Sequence, residues 1–591
     1  MGKEYKNIKE MLNNSTVKYK DKTAFIDINE NDKLVYITYG KLKEDLDALG
    51  TGMRVLGLDK NKVVIIGRNR YHWALSFLAS TCSNGITVPL DKELPDNEIQ
   101  KCINRVEADT VIYSSEFEQR IEDMSKNICI KNFISMDSKE LSPEEIIKDE
   151  KEETVNKNHY DIDQTNNNKK LSLEEIIAIG KKEIAKGNLD YIDQTIDNDK
   201  VFELLFTSGT TSDPKIPMLS QTNVISNVNS ATRRIKISNK DVLLSVLPLH
   251  HTFENTCGLI APLSRGATIG YNDSLKNVIK NMQQIKPSIM LVVPRFLELF
   301  ISKMEKTIEK NGQTKKFSKA VKIAKIFPNS IKRIVFFRRV HKAFGGRMRM
   351  FLVGASAMNP KDAEHMRKIG IITLQGYGMT ECSPIITLNS EKHFRDYSVG
   401  YVLEGTTVKI DKPDKNGIGE ILVKGPQVMK GYYKNEEATK AVMTEDSFLR
   451  TGDLGNFTKH RFLVITGRCK NMILGSNGEN IYPEDIESLL RKNKSIVKET
   501  FVHAENEGAK NMKLIAEVVL SDEIAKKIVK HPEYEAEIQQ VIKDYVNEIN
   551  SQLPAFKRIN QFHTYTEEFQ KTTTLKIQRE KVLEKQKNQN Q

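Results

Sequence analysis

Short apolar segments alternate with a helical pattern near the start of the chain. The apolar segments are Thr23–Asp27, Lys62–Gly67 and Gly85–Leu90, and Leu42–Leu56 places apolar residues at helical spacing between the first two. Strands that alternate with helices predict a parallel, doubly wound sheet. The binding crevices of such a sheet lie beyond the carboxyl ends of its strands.

A further buried strand is predicted over Val201–Phe206, and the chain changes character where that strand ends. Thr207–Thr211 follows with four hydroxyl side chains and a flexible Gly209, and the loop ends in Lys215. Hydroxyls, a lysine and backbone N–H groups near a glycine predict a phosphate-binding loop. It differs from the common nucleotide loop, because Pro214 stands where that loop has glycine before its lysine. The same residue types also form ordinary surface turns, so the loop alone leaves both interpretations open.

The second half of the chain predicts smaller units. Phe351–Ala357 has the pattern of a strand that runs into a turn of small residues, and short strands with Gly-containing turns occupy about residues 397–466. These short strands predict a small β-barrel. The predicted fold class is therefore α/β, with doubly wound sheets and a small β-barrel in an N-terminal domain, residues 1–469. A smaller α+β C-terminal domain, residues 470–591, is predicted from its own helices and strands, which include the aliphatic Leu514–Leu520.

Residues 141–200 contain two adjacent thirty-residue units that are identical at fifteen of thirty positions. Leu141–Ile147 recurs as Leu171–Ile177, and Ile162–Thr165 recurs as Ile192–Thr195. This tandem duplication is too short for a solenoid. Because the second copy leads directly into the phosphate loop, we interpret the first copy as an insertion. Its Lys, Glu and Asn content favours an exposed excursion.

Composition narrows the class of protein. A chain of 591 residues is long enough for at least two domains. The six cysteines lack paired spacing, which argues against a disulfide framework and a zinc site. No window approaches the ~18 apolar residues of a spanning helix, and residues 1–20 are charged throughout. We therefore expect a protein without a signal peptide or membrane anchor, either free in the cytoplasm or peripheral on the inner face of the membrane.

The net charge of +12 is concentrated in one segment. Residues 302–349 contain fifteen Lys or Arg against two acids. Within this segment, Val321–Phe327 and Ile331–Val340 interleave cations with Ile, Val and Phe, as does a helix that lies on an anionic bilayer. The alternative is a solvated helical face whose apolar side belongs to the core. A nucleic-acid surface is disfavoured, because no known binding module accompanies the charge.

Further polar and Gly-containing motifs follow the phosphate loop in a fixed order. They are Leu247–Phe253 with two adjacent histidines, Gln375–Glu381, Leu449–Gly455, Gly467–Ile473 and Gly475–Pro483. Together with the phosphate loop, this set resembles the adenylate-forming enzymes, the superfamily of acyl-CoA synthetases, luciferases and peptide-synthetase adenylation domains. The resemblance is strongest to the long-chain fatty acyl-CoA synthetase branch. It covers the chain from about Thr23 to Lys581.

The resemblance implies a reaction in two halves. A fatty acid carboxylate attacks the α-phosphorus of ATP and expels pyrophosphate, and the acyl adenylate then passes its acyl group to the thiol of coenzyme A. ATP, Mg²⁺, coenzyme A and a fatty acid are the implied ligands. Because both halves concentrate charge on phosphate or carboxylate oxygens, positioned cations and hydroxyls supply most of the rate enhancement.

The resemblance also implies roles for individual residues. Lys576 bridges the attacking carboxylate and the α-phosphate, Thr380 contacts the α-phosphate, and Glu381 with Thr210 holds Mg²⁺. His251 matches the histidine at the carboxylate end of the acyl pocket, although two adjacent histidines also suit packing. The implied ATP and AMP contacts are Thr207, Ser208, Gly209, Thr210, Thr211, Lys215, Gly354, Ala355, Ser356, Gln375, Gly376, Tyr377, Gly378, Asp453 and Arg468.

In the family, the mobile C-terminal domain rotates between the two half-reactions about one hinge residue, which here is Lys470. Rotation withdraws Lys576 and brings another loop to the thiol channel, in keeping with the few-residue hinges of other domain closures. The implied channel residues are Gly475, Gly478, Glu479 and Asn480.

Several alternatives remain open from the sequence. The acyl acceptor is either coenzyme A or the pantetheine thiol of an acyl carrier protein, or the reaction stops at the acyl adenylate. Outside enzymes, the alternative is an inactive relative that binds only nucleotide or membrane. It is disfavoured because the charged residues of the motifs are all present. One sequence does not fix the length of the acyl chain.

Overall fold

Two large sheets form the core of the N-terminal domain. The computed structural model describes residues 3–137, 169–207, 214–475, 479–509, 511–571 and 577–589 of the chain. One sheet has nine strands in the order β16-β15-β14-β13-β12-β10-β11-β1-β2, and the other has seven in the order β7-β6-β5-β3-β4-β8-β9. These strands are β1 Thr23–Ile28, β2 Leu34–Thr38, β3 Lys62–Ile66, β4 Ile86–Pro89, β5 Thr110–Tyr113, β6 Asn132–Ser135, β7 Lys169–Ser172, β8 Val201–Leu204, β9 Met218–Ser220, β10 Val242–Ser245, β11 Thr268–Tyr271, β12 Ile289–Val292, β13 Met350–Val353, β14 Ile372–Gly378, β15 Ile385–Leu388 and β16 Tyr401–Val402.

The centre of each sheet is parallel, and antiparallel pairing occurs at β2, β9, β15 and β16. Central strands such as β5, β10, β12 and β13 are buried along their whole length, which explains their unbroken apolar sequences. The predicted strands at the start of the chain are confirmed. They divide between the two sheets, because β1 pairs with the distant β11 (Phe25 opposite Ile269) and not with β3 or β4.

Helices cover the faces of the sheets and build much of the C-terminal domain. Their bounds are α1 Ile8–Lys18, α2 Tyr39–Val55, α3 Tyr71–Thr81, α4 Asp96–Val106, α5 Glu118–Met124, α6 Leu173–Ala185, α7 Asp190–Asp193, α8 Gln221–Arg234, α9 Thr252–Glu254, α10 Ala261–Leu263, α11 Val278–Ile285, α12 Pro294–Lys310, α13 Thr314–Ala324, α14 Asn329–Ile331, α15 Arg338–Ala343, α16 Pro360–Lys368, α17 Glu436–Val442, α18 Pro483–Leu490, α19 Asp522–Lys530, α20 Glu535–Ser551 and α21 Arg579–Gln589.

The second copy of the tandem duplication is part of the core. Its helix α6 begins with a capping box in which Ser172 and Glu175 bond each other's backbone N–H groups. A Cβ atom added to Gly180 would lie 1.7 Å from the carbonyl oxygen of Ala48, so α6 and α2 pack with their backbones in contact. The first copy, residues 141–170, lies almost entirely outside the described residues, and its assignment as an insertion stays a prediction.

Three smaller sheets complete the described fold. Residues predicted as a β-barrel form a four-stranded antiparallel sheet of β17 Thr407–Asp411, β18 Gly419–Lys424, β19 Leu449–Phe457 and β20 Leu463–Arg468. The C-terminal domain contains a hairpin, β21 Ile473–Leu474 with β22 Asn480–Ile481, and a three-stranded sheet of β23 Val497–Glu505, β24 Lys513–Leu520 and β25 Gln561–Tyr565. The α/β class with a separate, smaller C-terminal domain is confirmed.

The basic segment, residues 302–349, folds as helices between β12 and β13. On α13, the side chains of Phe317, Ala320, Val321 and Ala324 recur at helical spacing and face the core. The lysines of the same helix are exposed. This helix therefore matches the interpretation of a solvated face above a buried apolar side. Among the described residues, no helix is both long enough and apolar enough to span a bilayer.

Candidate active site

The two ends of the predicted phosphate loop are bonded to each other. The backbone N–H of Thr207 donates to the carbonyl oxygen of Lys215 at 3.1 Å, and the Thr207 hydroxyl donates to the same oxygen at 3.0 Å. The loop starts at the carboxyl end of β8, where a parallel sheet opens into a crevice. Four predicted contacts, Ser208, Gly209, Thr210 and Thr211, lie outside the described residues.

Lys215, Tyr432 and Glu381 form a line of contacts next to this loop. The Lys215 ammonium lies 5.1 Å from the centroid of the Tyr432 ring, a cation–π distance. The Tyr432 hydroxyl donates to Glu381 Oε1 at 2.9 Å, and Glu381 is only 9% exposed. Burial and the Glu381 carboxylate raise the pKa of Tyr432, so its hydroxyl stays protonated and remains a donor.

Sequence reasoning missed Tyr432. Its backbone is fixed by pairing of residues 216–218 with residues 430–433, in which the Tyr433 N–H donates to the Ile216 carbonyl at 2.8 Å. The only local signal is the Gly431-Tyr-Tyr433 sequence, which by itself has the pattern of an ordinary turn. Its importance comes from the strand pairing that places it between Lys215 and Glu381.

Asp453, Tyr377 and Arg468 form a second polar group. Tyr377 donates its hydroxyl to Asp453 Oδ2 at 2.7 Å, and Arg468 Nε lies 2.9 Å from Asp453 Oδ1. Asp453 and Arg468 are opposite each other on β19 and β20. Burial, followed by the Asp453 charge, raises the pKa of Tyr377. Tyr377 lies near the end of β14, and Glu381 lies in the short turn that follows this strand. Both polar groups therefore meet at the end of β14 and belong to one site.

The turn after β13 lies beside the Gln375–Gly378 end of β14, because Val353 and Gln375 are opposite each other. Ala355 has a left-handed backbone conformation (φ 69°), which is costly for a residue with a side chain and is common at binding sites. The Gln375 side chain donates to the Ser356 carbonyl at 3.3 Å. The structure thus brings together residues on β14 and in the turn after β13 that are predicted as ATP and AMP contacts.

Two of these glycines leave little room for a side chain. A Cβ atom at Gly378 would lie 1.9 Å from the Pro384 carbonyl oxygen, and one at Gly354 would lie 2.9 Å from the Phe253 ring. Gly376 is less constrained, since its nearest neighbour is the Leu388 side chain at 3.0 Å. The absence of side chains at Gly354 and Gly378 keeps both strands close to their neighbours at the crevice.

The two adjacent histidines lie with their rings in contact before α9. His250 is half-buried like its neighbour, with a side chain only 10% exposed, and desolvation lowers the pKa of its imidazole to about 3, so the ring is neutral although Asp91 lies 3.6 Å away. His251 is half-buried at the start of α9, and its ring centroid lies 4.2 Å from that of His250. Thr380 is also half-buried and begins the turn Thr380–Cys382 that carries Glu381.

The predicted hinge and channel residues lie where the C-terminal domain begins. Lys470 occupies a single turn, and its ammonium lies 4.0 Å from the Glu580 carboxylate. Burial lowers the pKa of Lys470. The Gly475 N–H donates to the Glu479 carbonyl at 2.7 Å and closes the hairpin at Asn480. Gly478 and Lys576 lie outside the described residues.

Both flanks of the segment that contains Lys576 are anchored. Lys571 and Ile577 pair as an isolated β-bridge, and Lys571 forms ion pairs with Glu499 and Glu568. On the other side, Arg579 lies 2.8 Å from the Glu487 carboxylate, which is almost fully buried. The residues before and after residues 572–576 are therefore fixed to the C-terminal sheet and to α18.

Glu381 suits a magnesium ion. Mg²⁺ is commonly held by one or two carboxylates together with substrate phosphates, and not by a complete protein cage. Glu381 provides one carboxylate close to the phosphate loop, with one oxygen already oriented by Tyr432. Within the described part of the chain, no group of three or more His, Cys, Asp or Glu residues is arranged as a metal site.

Two family models match the chain. The model described as "AMP-binding enzyme" matches residues 12–433, and the model described as "AMP-binding enzyme C-terminal domain" matches residues 470–589. The second match begins at Lys470, the residue that the family resemblance implies as the hinge.

Curated relatives have related names. The chain is 30% identical over 317 residues to "Long-chain-fatty-acid--CoA ligase ACSBG2" of Rattus norvegicus, covering 50% of this chain and 48% of the relative. It is 27% identical over 505 residues to "Long-chain-fatty-acid--CoA ligase 5" of the same organism, covering 80% of this chain and 70% of the relative. The chain thus spans between about half and 70% of the length of these relatives.

Solved structures support the fold. A carboxylate reductase adenylation domain from Mycobacterium chelonae has a TM-score of 0.75 at 20% identity, covering 99% of this chain and 90% of that chain. The anthranilate CoA ligase AuaEII in complex with anthranoyl-AMP has a TM-score of 0.71 at 18% identity, covering 99% and 98%.

Proposed function

The chain belongs to the AMP-binding enzyme family, and from this premise we propose that it activates a fatty acid with ATP and transfers the acyl group to coenzyme A. The products are acyl-CoA, AMP and pyrophosphate, and the intermediate is an acyl adenylate. The observation that carries the proposal is the Lys215–Tyr432–Glu381 line beside the Tyr377–Asp453–Arg468 group. The first group suits phosphates and their metal ion, and the second suits a nucleoside.

In the first half-reaction, this chain's residues bind and orient the triphosphate. In this proposal Lys215 supplies positive charge for the β- and γ-phosphates, and Thr380 contacts the α-phosphate. Glu381 holds Mg²⁺, which supplies positive charge against the phosphate oxygens when bound. Lys576 neutralises charge between the fatty acid carboxylate and the α-phosphate, where the new bond forms.

Nucleoside binding uses the second group. Asp453 accepts hydrogen bonds from the ribose hydroxyls, Tyr377 lies against the adenine, and Arg468 braces the ribose and phosphates. In the structure the Asp453 carboxylate already accepts a hydrogen bond from Tyr377 and forms an ion pair with Arg468. These contacts orient the buried carboxylate before the nucleotide arrives, which lowers the reorganisation that binding requires.

In the second half-reaction, the thiol attacks the acyl carbon and AMP leaves with the bridging oxygen. We propose that rotation about Lys470 exchanges the Lys576 segment for the Gly475–Asn480 hairpin between the two halves. The hairpin then lines the path of coenzyme A. His251 lies at the carboxylate end of the acyl pocket in this proposal.

Coenzyme A is the proposed acceptor because curated relatives at 27–30% identity are named as CoA ligases. The long acyl chain rests on the same names. The test is pyrophosphate release with ATP and fatty acids of graded length, with and without coenzyme A. Acyl adenylate that never passes to coenzyme A but does pass to an acyl carrier protein would instead support the carrier-protein alternative.

Arg579→Met is expected to slow adenylate formation on the order of 10–10²-fold, because a small displacement of a catalytic group is costly. Arg579 anchors the segment just after Lys576 through its ion pair with Glu487. Burial raises the pKa of Glu487, and the charges of Arg579 and Arg491 offset part of that rise. Asn471 beside the hinge donates to Glu484 at 2.7 Å, and Arg579 lies 3.7 Å from the same oxygen. Arg579 is thus a positioning residue that links the segment to the hinge.

Arg491→Met is the matched control, since Arg491 lies 3.7 Å from Glu487 but does not border the Lys576 segment. Each half-reaction is measured separately, using pyrophosphate exchange and thioester formation from supplied acyl adenylate. We expect Arg579→Met to impair only the first and Arg491→Met to impair neither. Equal loss of both half-reactions in Arg579→Met, together with a lowered Tm, would mean that Arg579 only stabilises the domain.

A further inference from the structure

Branched aliphatic side chains are exposed at the end of helix α13 and in the residues that follow it. Ile326, Ile334 and Val335 are 86%, 69% and 66% exposed, and Ile323 and Ile331 are also exposed. Among the described residues, every strongly exposed isoleucine belongs to this group of five. Single exposed apolar residues are ordinary on protein surfaces, but a contiguous group indicates an interaction site. We call residues 322–339 the basic apolar surface.

Packed aromatic side chains support the basic apolar surface. The rings of Phe327 and Phe336 lie 5.1 Å apart and join the end of α13 to the π-helical turn Lys332–Phe336. Phe337 is buried and packs against Phe317 on α13 at 5.6 Å. The exposed aliphatic side chains therefore project from a packed support, so their exposure is a property of the fold.

Positive charge surrounds these aliphatic side chains. Lys322, Lys325, Arg338 and Arg339 are exposed, and none of them pairs with an acid among the described residues. The sequence between residues 310 and 349 contains no Asp or Glu. The basic apolar surface therefore combines apolar side chains with positive charges that no acidic residue of the same segment neutralises.

Two cations that the sequence pattern groups with these four face the protein instead. Arg333 donates to the Gly370 carbonyl at 3.1 Å, and burial lowers the pKa of its guanidinium. Lys332 is half-buried, and burial lowers its pKa as well. Only the four exposed cations are therefore free to meet a partner from outside, and only these four belong in a test.

We propose that the basic apolar surface docks on a bilayer that contains anionic lipid. An anionic bilayer presents phosphate and carboxylate groups above an apolar layer, which matches cations beside aliphatic side chains. Single-stranded nucleic acids prefer aromatic platforms, and the exposed side chains here are aliphatic. The docked enzyme would lie where a long-chain fatty acid partitions, but the docking itself does not depend on the proposed activity.

The test is cosedimentation with vesicles of phosphatidylcholine alone or mixed with phosphatidylserine, at low and at high salt. The charge variant carries Lys322→Gln, Lys325→Gln, Arg338→Gln and Arg339→Gln. The control variant makes the same change of net charge on the C-terminal domain with Lys492→Gln, Lys526→Gln, Lys530→Gln and Lys543→Gln, which are all exposed. The apolar variant carries Ile326→Ser, Ile334→Ser and Val335→Ser.

We expect the parent and the control variant to sediment with anionic vesicles at low salt and not with neutral ones. The charge variant should bind at least about 10²-fold more weakly, and high salt should weaken the parent in the same direction. The apolar variant should lose the part of the vesicle binding that persists at high salt. Because all substituted side chains are exposed, each variant is expected to keep the parent Tm.

Several results would overturn the proposal. These are equal sedimentation of the parent and the charge variant, equal losses in the charge and control variants, and an apolar variant that binds like the parent. Binding to duplex DNA that depends on the four cations but not on the aliphatic side chains would assign the surface to a polyanion instead. None of these readouts requires turnover, so failure here is distinct from failure of the proposed ligase activity.

Discussion

Lys576→Ala should reduce adenylate formation on the order of 10²–10³-fold and leave thioester formation from supplied acyl adenylate close to the parent rate. The reason is that Lys576 contributes charge only where the carboxylate meets the α-phosphorus. In the second half-reaction the acyl adenylate already exists, and the proposed rotation has moved Lys576 away. Pyrophosphate exchange measures the first half, and acyl-CoA formation from synthetic acyl adenylate measures the second.

Lys581→Ala is the matched control for Lys576→Ala. Lys581 is an exposed lysine on α21 in the same Lys-rich tail, so its removal changes the charge of the tail equally. We expect both half-reactions to continue in this variant. If Lys576→Ala slowed the two halves to the same extent, the proposed exchange of segments about Lys470 would be wrong.

Glu381→Gln should reduce adenylate formation on the order of 10²-fold and raise the Mg²⁺ concentration needed for half-maximal rate. Glutamine keeps an oxygen that accepts from the Tyr432 hydroxyl but removes the negative charge that would hold the ion. The measurement is pyrophosphate exchange across a range of Mg²⁺ concentrations, with ATP held constant.

Tyr432→Phe separates the charge of Glu381 from its orientation. This variant keeps the carboxylate and removes the 2.9 Å hydrogen bond, so a loss of only about tenfold is expected. Parent-like Mg²⁺ dependence in Glu381→Gln would place the ion elsewhere and would remove Glu381 from the metal site.

Local sequence patterns were sufficient to predict individual helices and strands. The first strands and α2 were predicted because each is a short apolar run or a helical repeat, and Leu514–Leu520 was predicted for the same reason. The division into two large sheets was not predicted. It depends on pairing between β1 and β11, which are far apart in the sequence and whose contact leaves no local signal.

The candidate site shows the same limit. Asp453, Arg468 and Glu381 stand in motifs with a fixed order, so their grouping followed from the resemblance. Tyr432 stands in no such motif, and its role depends on a strand pairing that only the fold reveals. The roles of all these residues stay predictions, and Lys576 and residues 208–211 also lie outside the described parts of the chain.

The basic segment shows why a pattern of charge can support two interpretations. On α13 the apolar residues recur at helical spacing and pack on the core, as a solvated helix requires. A few residues later the same residue types leave Ile326, Ile334 and Val335 exposed. Sequence spacing cannot separate these cases, since the difference lies in the turn that follows α13.

Oxygen-18 in the carboxylate of the fatty acid provides a test of whether the chain forms an acyl adenylate. Attack on the α-phosphorus places one labelled oxygen between the acyl carbon and phosphorus, and the thiol then breaks the bond from that oxygen to the acyl carbon. Mass spectrometry should therefore find one labelled oxygen in AMP and the other in acyl-CoA. Label in inorganic phosphate with ADP as the nucleotide product, or AMP without label, would contradict the adenylate route.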